Sequence, residues 1–122
     1  MYITIKIILN QNPSSQELTE KAIYIIDGDT FETSDGEIIR LLCVDTPEKN
    51  ENGYEEAKGF LSSYILNKDI SIEIEGIDSY NRTLAWVSVK NDKEIVLINK
   101  EIVKNGFGTL FEYNGTNCER MR

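Results

Sequence analysis

The sequence predicts a mainly β fold (α+β), a small barrel of five short strands that carries two to three helices. Three observations carry that prediction. Apolar and polar residues alternate in short runs, ISIEIE at Ile70–Glu75 being the clearest. Turn chemistry separates the runs, as in Asp35-Gly36 and the DSYN segment Asp78–Asn81. The apolar period lengthens to helical spacing twice, after the third strand and after the fifth.

The elements follow in order. Ile3, Ile5 and Ile7 alternate with polar or variable positions and read as a strand, and residues 10–20 read as loop. Lys21–Ile26, Phe31–Thr33 and Ile38–Val44 form a meander whose second connection is the Asp35-Gly36 hairpin turn. From Glu55, Ala57, Phe60, Leu61, Tyr64 and Ile65 recur at helical spacing, with acidic residues in front. Ile70–Glu75 and Arg82–Val89 supply the fourth and fifth strands. Asp92 lies in a turn, and Val96–Lys104 carries Ile98, Ile102 and Val103 before the helix stop Asn105-Gly106. Five strands with helices inserted in this order fit neither a parallel sheet nor a sandwich, and an OB-type barrel is the natural candidate.

The composition sets limits. A chain of 122 residues, 40% hydrophobic and 28% charged, suits one globular domain, here residues 21–122, with 1–20 as an N-terminal strand and linker. No stretch approaches the roughly 20 apolar residues of a membrane span, so no membrane partner is expected. The first residues make a poor secretory signal, which leaves the location open between cytoplasm and secretion with a leader removed. A monomer is expected. Cys43 and Cys118 allow a bridge or two thiols, and unbridged thiols are the expectation. The chain has no histidine, which removes the usual neutral-pH base and every His-based zinc site. Chemistry falls to carboxylates, Arg, Lys and Tyr. The net charge of −8 argues against holding nucleic acid through a broad basic surface.

One charged constellation stands out. In IDGDTF, Asp27 and Asp29 leave the same face of an extended backbone while Gly28 lets the chain bend. In RLLCVDTPE, Asp45 arrives where an apolar strand ends, Pro47 pushes Thr46 toward extended geometry, and Glu48 follows. Arg40 and Asp45 are five apart, so strict alternation sends them to opposite faces. A site that uses both requires an irregularity between them. Phe60, Tyr64, Trp86 and Phe107 sit at core-facing positions, whereas Tyr80 beside Arg82 is placed to stack on a base.

With IDGDTF, RLLCVDTPE, YEEA, DSYNRTLAWV and INKEIVKNGFG in this order, the chain resembles the staphylococcal nuclease (thermonuclease) family from about Ala22 to Gly108. The resemblance implies a Ca²⁺-dependent nuclease that hydrolyses DNA or RNA, single strands preferred, and leaves 3′-phosphate ends. By that resemblance Asp29, Asp45 and the Thr46 carbonyl are Ca²⁺ ligands and Asp27 supports them. Glu48 positions or deprotonates the attacking water, Arg40 and Arg82 clamp the scissile phosphate, and Tyr80 and Tyr113 contact the nucleotide. Departures are visible too. Ser79 stands where better known members carry lysine, Glu112 falls where a second tyrosine is expected, and NGTNCERMR stops after about the first turn of the family's C-terminal helix. The alternative is a catalytically inactive module of the same family, as in tudor-type proteins, that binds nucleic acid or a protein. Degenerate members lose the acidic and Arg positions, which this chain retains. Asp27, Asp29, Asp45 and Glu48 outnumber Arg40 and Arg82 by two, so without metal the site carries −2 and should repel a phosphodiester.

Overall fold

A computed structural model of the chain describes residues 16–112 and 115–122. In chain order the elements are β1 (Gln16–Asp27), β2 (Thr30–Thr33), β3 (Ile38–Leu41), β4 (Val44–Asp45), α1 (Tyr54–Ile65), β5 (Asp69–Ile77), β6 (Thr83–Asn91), β7 (Glu94–Leu97), α2 (Ile98–Lys104) and β8 (Thr109–Leu110). A 3-10 turn, Glu119–Met121, follows. The main sheet runs β3-β2-β1-β5-β6-β7, and a parallel pairing of β3 with β6 closes five of these strands into the expected OB-type barrel.

The long strand β1 makes closure feasible. Its first half, from Gln16 to Lys21, pairs with β5, and its second half, from Ala22 to Asp27, pairs with β2. Register shifts at Ala22/Tyr24 and Ile25/Asp27 bend it between the two partners. Leu18, Ala22, Ile25, Phe31, Ile39, Leu41, Ile70, Ile72, Ala85 and Val87 fill the interior. Helix α1 seals one opening with Ala57, Leu61 and Ile65, and α2 adds Ile98 and Ile102. Trp86 is buried, while Phe60, Tyr64 and Phe107 pack at the core's margin, with Phe60 and Phe107 stacked at 4.5 Å.

Several expectations need correction. Residues 16–20, read as loop, are strand. Their inward positions are Leu18 and Glu20, and the carboxylate in an apolar slot hides the period-two pattern. The helix expected from Val96 begins at Ile98, because Glu94–Leu97 instead pairs with β6 as β7. The strand expected through Val44 breaks after Leu41. Cys43 and Cys118 are not free thiols but a disulfide, with Cα atoms 5.8 Å apart across 75 residues of sequence. A contact of that separation leaves no local pattern to read. The expected strand at Ile3–Ile7 lies outside the described residues.

Candidate functional site

The break after β3 builds the site. Leu42 and Cys43 turn the chain, with Cys43 at φ 65°, so the alternation that sends Arg40 and Asp45 to opposite faces is interrupted. The anticipated irregularity is thus present, and Arg40 Nη2 stands 3.6 Å from Asp45 Oδ1. The same nitrogen is 3.5 Å from Asp29 Oδ2. Arg40 Nη1 donates to the carbonyl oxygens of Leu41 at 2.6 Å and Val44 at 2.7 Å. The guanidinium is therefore fixed by the turn it enters, with 5% of the residue exposed.

Asp29 is equally buried and equally constrained. Its Oδ2 accepts from the Thr46 backbone N–H at 2.9 Å and from Thr46 Oγ1 at 3.0 Å, and its Oδ1 accepts from Thr30 Oγ1 at 2.8 Å. Burying this charge is tolerable because hydrogen bonds and Arg40 surround it. Asp27 Oδ1 accepts the Asp29 N–H at 3.1 Å. Burial first, then hydrogen bonding and repulsion from Asp29, pushes the Asp27 carboxyl up to about 7. Two glycines let Thr46 sit this close. A Cβ on Gly28 would lie 2.7 Å from Ala57 Cβ and 2.8 Å from Thr46 Oγ1, and one on Gly108 would lie 2.9 Å from the Asp45 carbonyl oxygen. The pairing of β4 with β8, Asp45 opposite Thr109, brings Gly108 there.

The other candidates form separate groups. Arg82 Nε contacts Asp78 Oδ2 at 2.7 Å, and its guanidinium carbon lies 5.2 Å from the centre of the Tyr80 ring. Asp78 Oδ1 also accepts the backbone N–H groups of Tyr80 and Arg82 at 2.9 Å. Partial burial opposes ionisation of Asp78, but these donors and the Arg82 charge outweigh it and hold the carboxyl below its ordinary range. Tyr80 is 78% exposed. In the parallel register Ile39 faces Thr83, so Arg82 leads into β6 beside the strand that carries Arg40. Glu48 is exposed, and its N–H donates to Glu51 Oε1 at 2.6 Å. A cavity of about 260 Å³ opens next to Asp45, with Pro47, Glu51 and Phe107 in its walls. Tyr113 lies outside the described residues.

Sequence reading missed three supports. Asp78 organises the turn before Arg82, and its signal was an Asp opening DSYN four residues ahead of an Arg. Asn99, completely buried in α2, donates to the Leu42 and Ala85 carbonyl oxygens and accepts the Val87 N–H. An Asn flanked by Ile98 and Ile102 was the available clue. For the disulfide the signal was the presence of two cysteines, which allows a bridge without requiring one. Among the described residues, no group of three or more His, Cys, Asp or Glu is gathered closely enough to hold a metal. Were Asp29, Asp45 and the Thr46 carbonyl to hold a metal, their all-oxygen chemistry would suit a hard cation and no soft one.

Comparison with known proteins bears on this network. A sequence model of the family described as staphylococcal nuclease homologue matches residues 38–122. An uncharacterized protein of Methanocaldococcus jannaschii is 31% identical over 123 aligned residues, which cover 77% of this chain and 59% of that protein. An uncharacterized endonuclease of Haemophilus influenzae is 30% identical over 103 residues, 81% of this chain and 56% of its own. A probable endonuclease, LCL3, of Clavispora lusitaniae is 31% identical over 83 residues, 63% of this chain and 36% of its own. The chain thus spans between 36% and 59% of the length of these relatives. The family match begins at Ile38, beyond Asp27 and Asp29, which join the network through the fold.

Proposed function

The chain belongs to the family of staphylococcal nuclease homologues, and we propose on that premise that it is a Ca²⁺-dependent nuclease. It hydrolyses phosphodiester bonds of DNA or RNA, single strands preferentially, acts as a monomer and leaves 3′-phosphate ends. The observation that carries the reading is the convergence of Asp29, Arg40 and Asp45, with Arg40 Nη2 within 3.6 Å of both carboxylates. Two relatives named as endonucleases support it.

Each residue has a task. Arg40, already oriented by the Leu41 and Val44 carbonyls, presents a fixed donor where negative charge grows on the phosphoryl oxygens. Little ordering remains to be done when substrate arrives. Arg82, held by Asp78, meets the same phosphate from the neighbouring strand. Asp29, Asp45 and the Thr46 carbonyl would hold the cation, which when bound supplies positive charge to the phosphate and offsets the excess of carboxylates over guanidinium groups, an excess that the raised pKa of Asp27 makes smaller than the formal −2 near neutral pH. Two carboxylates and one carbonyl are fewer oxygens than the six to eight that Ca²⁺ takes, so water or substrate oxygens would have to supply the rest. Asp27 fixes the Asp29 backbone, Glu48 orients or deprotonates the attacking water, and Tyr80 offers an exposed ring for a base.

Digestion of single-stranded DNA and RNA by the purified, folded chain is the test. Cleavage with Ca²⁺, its loss in chelator, and 3′-phosphate ends are expected. A folded sample without metal-dependent cleavage overturns the reading in favour of a binding module.

A further inference from the structure

We infer that the Cys43–Cys118 disulfide positions Arg40 and Asp45, so that a dithiol reductant switches off the proposed cleavage. The inference rests on the nuclease reading above. Arg40 Nη1 donates to the carbonyls of Leu41 and Val44, which flank Leu42 and Cys43. The turn therefore wraps the guanidinium, and Cys43 lies at its bend. A non-glycine residue at φ 65° persists where its surroundings hold it there.

Four ties do so. The Leu42 N–H donates to the Ala85 carbonyl at 3.0 Å, Asn99 Nδ2 donates to the Leu42 carbonyl at 2.8 Å, the Phe111 N–H donates to the Cys43 carbonyl at 3.1 Å, and the sulfur bridge joins Cys43 to Cys118. The bridge is covalent, and it anchors residues 115–122 on the barrel's outer face. Beside it, Met121 packs against the core, Lys100 Nζ donates to the Arg122 carbonyl oxygen at 2.8 Å, and Arg120 lies over Trp86 at 4.8 Å and pairs with Glu73 at 3.1 Å; the bridge is the covalent link among these contacts. Asp45 is two residues beyond Cys43, so whatever moves the turn moves a site carboxylate as well as the carbonyls that hold Arg40.

Cys43 is fully buried and Cys118 is 6% exposed, which directs attack to Cys118. A thiolate of the dithiol attacks Cys118 Sγ, the S–S bond breaks, and Cys43 leaves as thiolate and takes a proton. The second thiol of the reagent then closes its own disulfide and releases Cys118 as a thiol. Two electrons and two protons pass from the dithiol to the chain. With the bridge open, the left-handed conformation at Cys43 loses its covalent restraint and the Leu41 and Val44 carbonyls shift. A misplacement of about 1 Å in such a site costs on the order of 10²-fold in rate.

The experiment compares oxidised chain, chain reduced with dithiothreitol, and Cys118→Ser, at a temperature where circular dichroism shows each folded. The expected result is a 10- to 100-fold fall in kcat on reduction, recovery on reoxidation, and the same low kcat in Cys118→Ser with or without dithiol. The Arg40 Nε–H NMR resonance should shift on reduction more than the amides of β5. If the reduced chain unfolds, sucrose is added until the oxidised spectrum returns and the comparison is made there. Full kcat in reduced, folded chain, or an unmoved Arg40 resonance, overturns the inference. If oxidised chain shows no cleavage, the nuclease reading fails, and the Arg40 resonance alone decides the tether.

Discussion

Glu20 points a carboxylate inward from β1, is 7% exposed, and among the described residues its Oε1 has no hydrogen-bond partner. Burial is the main cause of its raised pKa, with Asp35 and Glu37 adding repulsion and Thr33 opposing them. A carboxyl whose pKa is higher folded than unfolded binds protons more readily in the native state. Its contribution is fully present below the unfolded value of 4.5 and is lost as pH rises through the folded value. Glu20→Gln removes that loss, so its thermal midpoint should exceed that of the wild type at pH 8, with the gap narrowing toward pH 4. Equal differences at the two pH values would refute this account. Glu20 also shows why legibility fails at this scale: a charged residue in an inward slot made strand look like loop. Arg40 and Asp45 were legible because Pro47 and the apolar run before them mark a strand end, whereas the partners of Arg82 and Cys43 depend on turns and long-range contacts.

Among the elements, α2 does more than cover the core. Asn99 satisfies Leu42 O, Ala85 O and Val87 N–H, which joins the start of the site turn to β6 through a helix. Asn99→Ala leaves buried backbone groups without these partners, and we expect a loss of about 3 kcal/mol. Urea unfolding reads it, with exposed Lys100→Ala as the control expected to change little. A loss no larger than that control would show that water or a backbone shift replaces the amide. Helix α1 was readable from its apolar spacing to within a residue of its start, Tyr54 against Glu55. Strand β7 was not, because EIVL runs straight into INKEIV and a single apolar rhythm spans two elements.

For the molecule as a whole, the charge of −8 governs how it meets a polyanion. With two guanidinium groups at the site, log affinity for a nucleic acid should fall against log salt with a slope of roughly −2. Titration by fluorescence anisotropy in Ca²⁺ measures it. A slope near −10 would mean a broad cationic surface, contrary to this composition. Barrel closure itself was legible from five runs and two helices, but its seam was not, since the pairing of Ile39 with Thr83 follows from no local signal. That seam sets the order of events during synthesis. Arg40 is made long before Arg82, and their strands become neighbours only when β3 and β6 zip together, a distant pairing of the kind that forms late. A nascent chain therefore carries the Arg40 motif before it carries the two-arginine site that the proposed cleavage would use, and completes that site only when β6 closes the barrel.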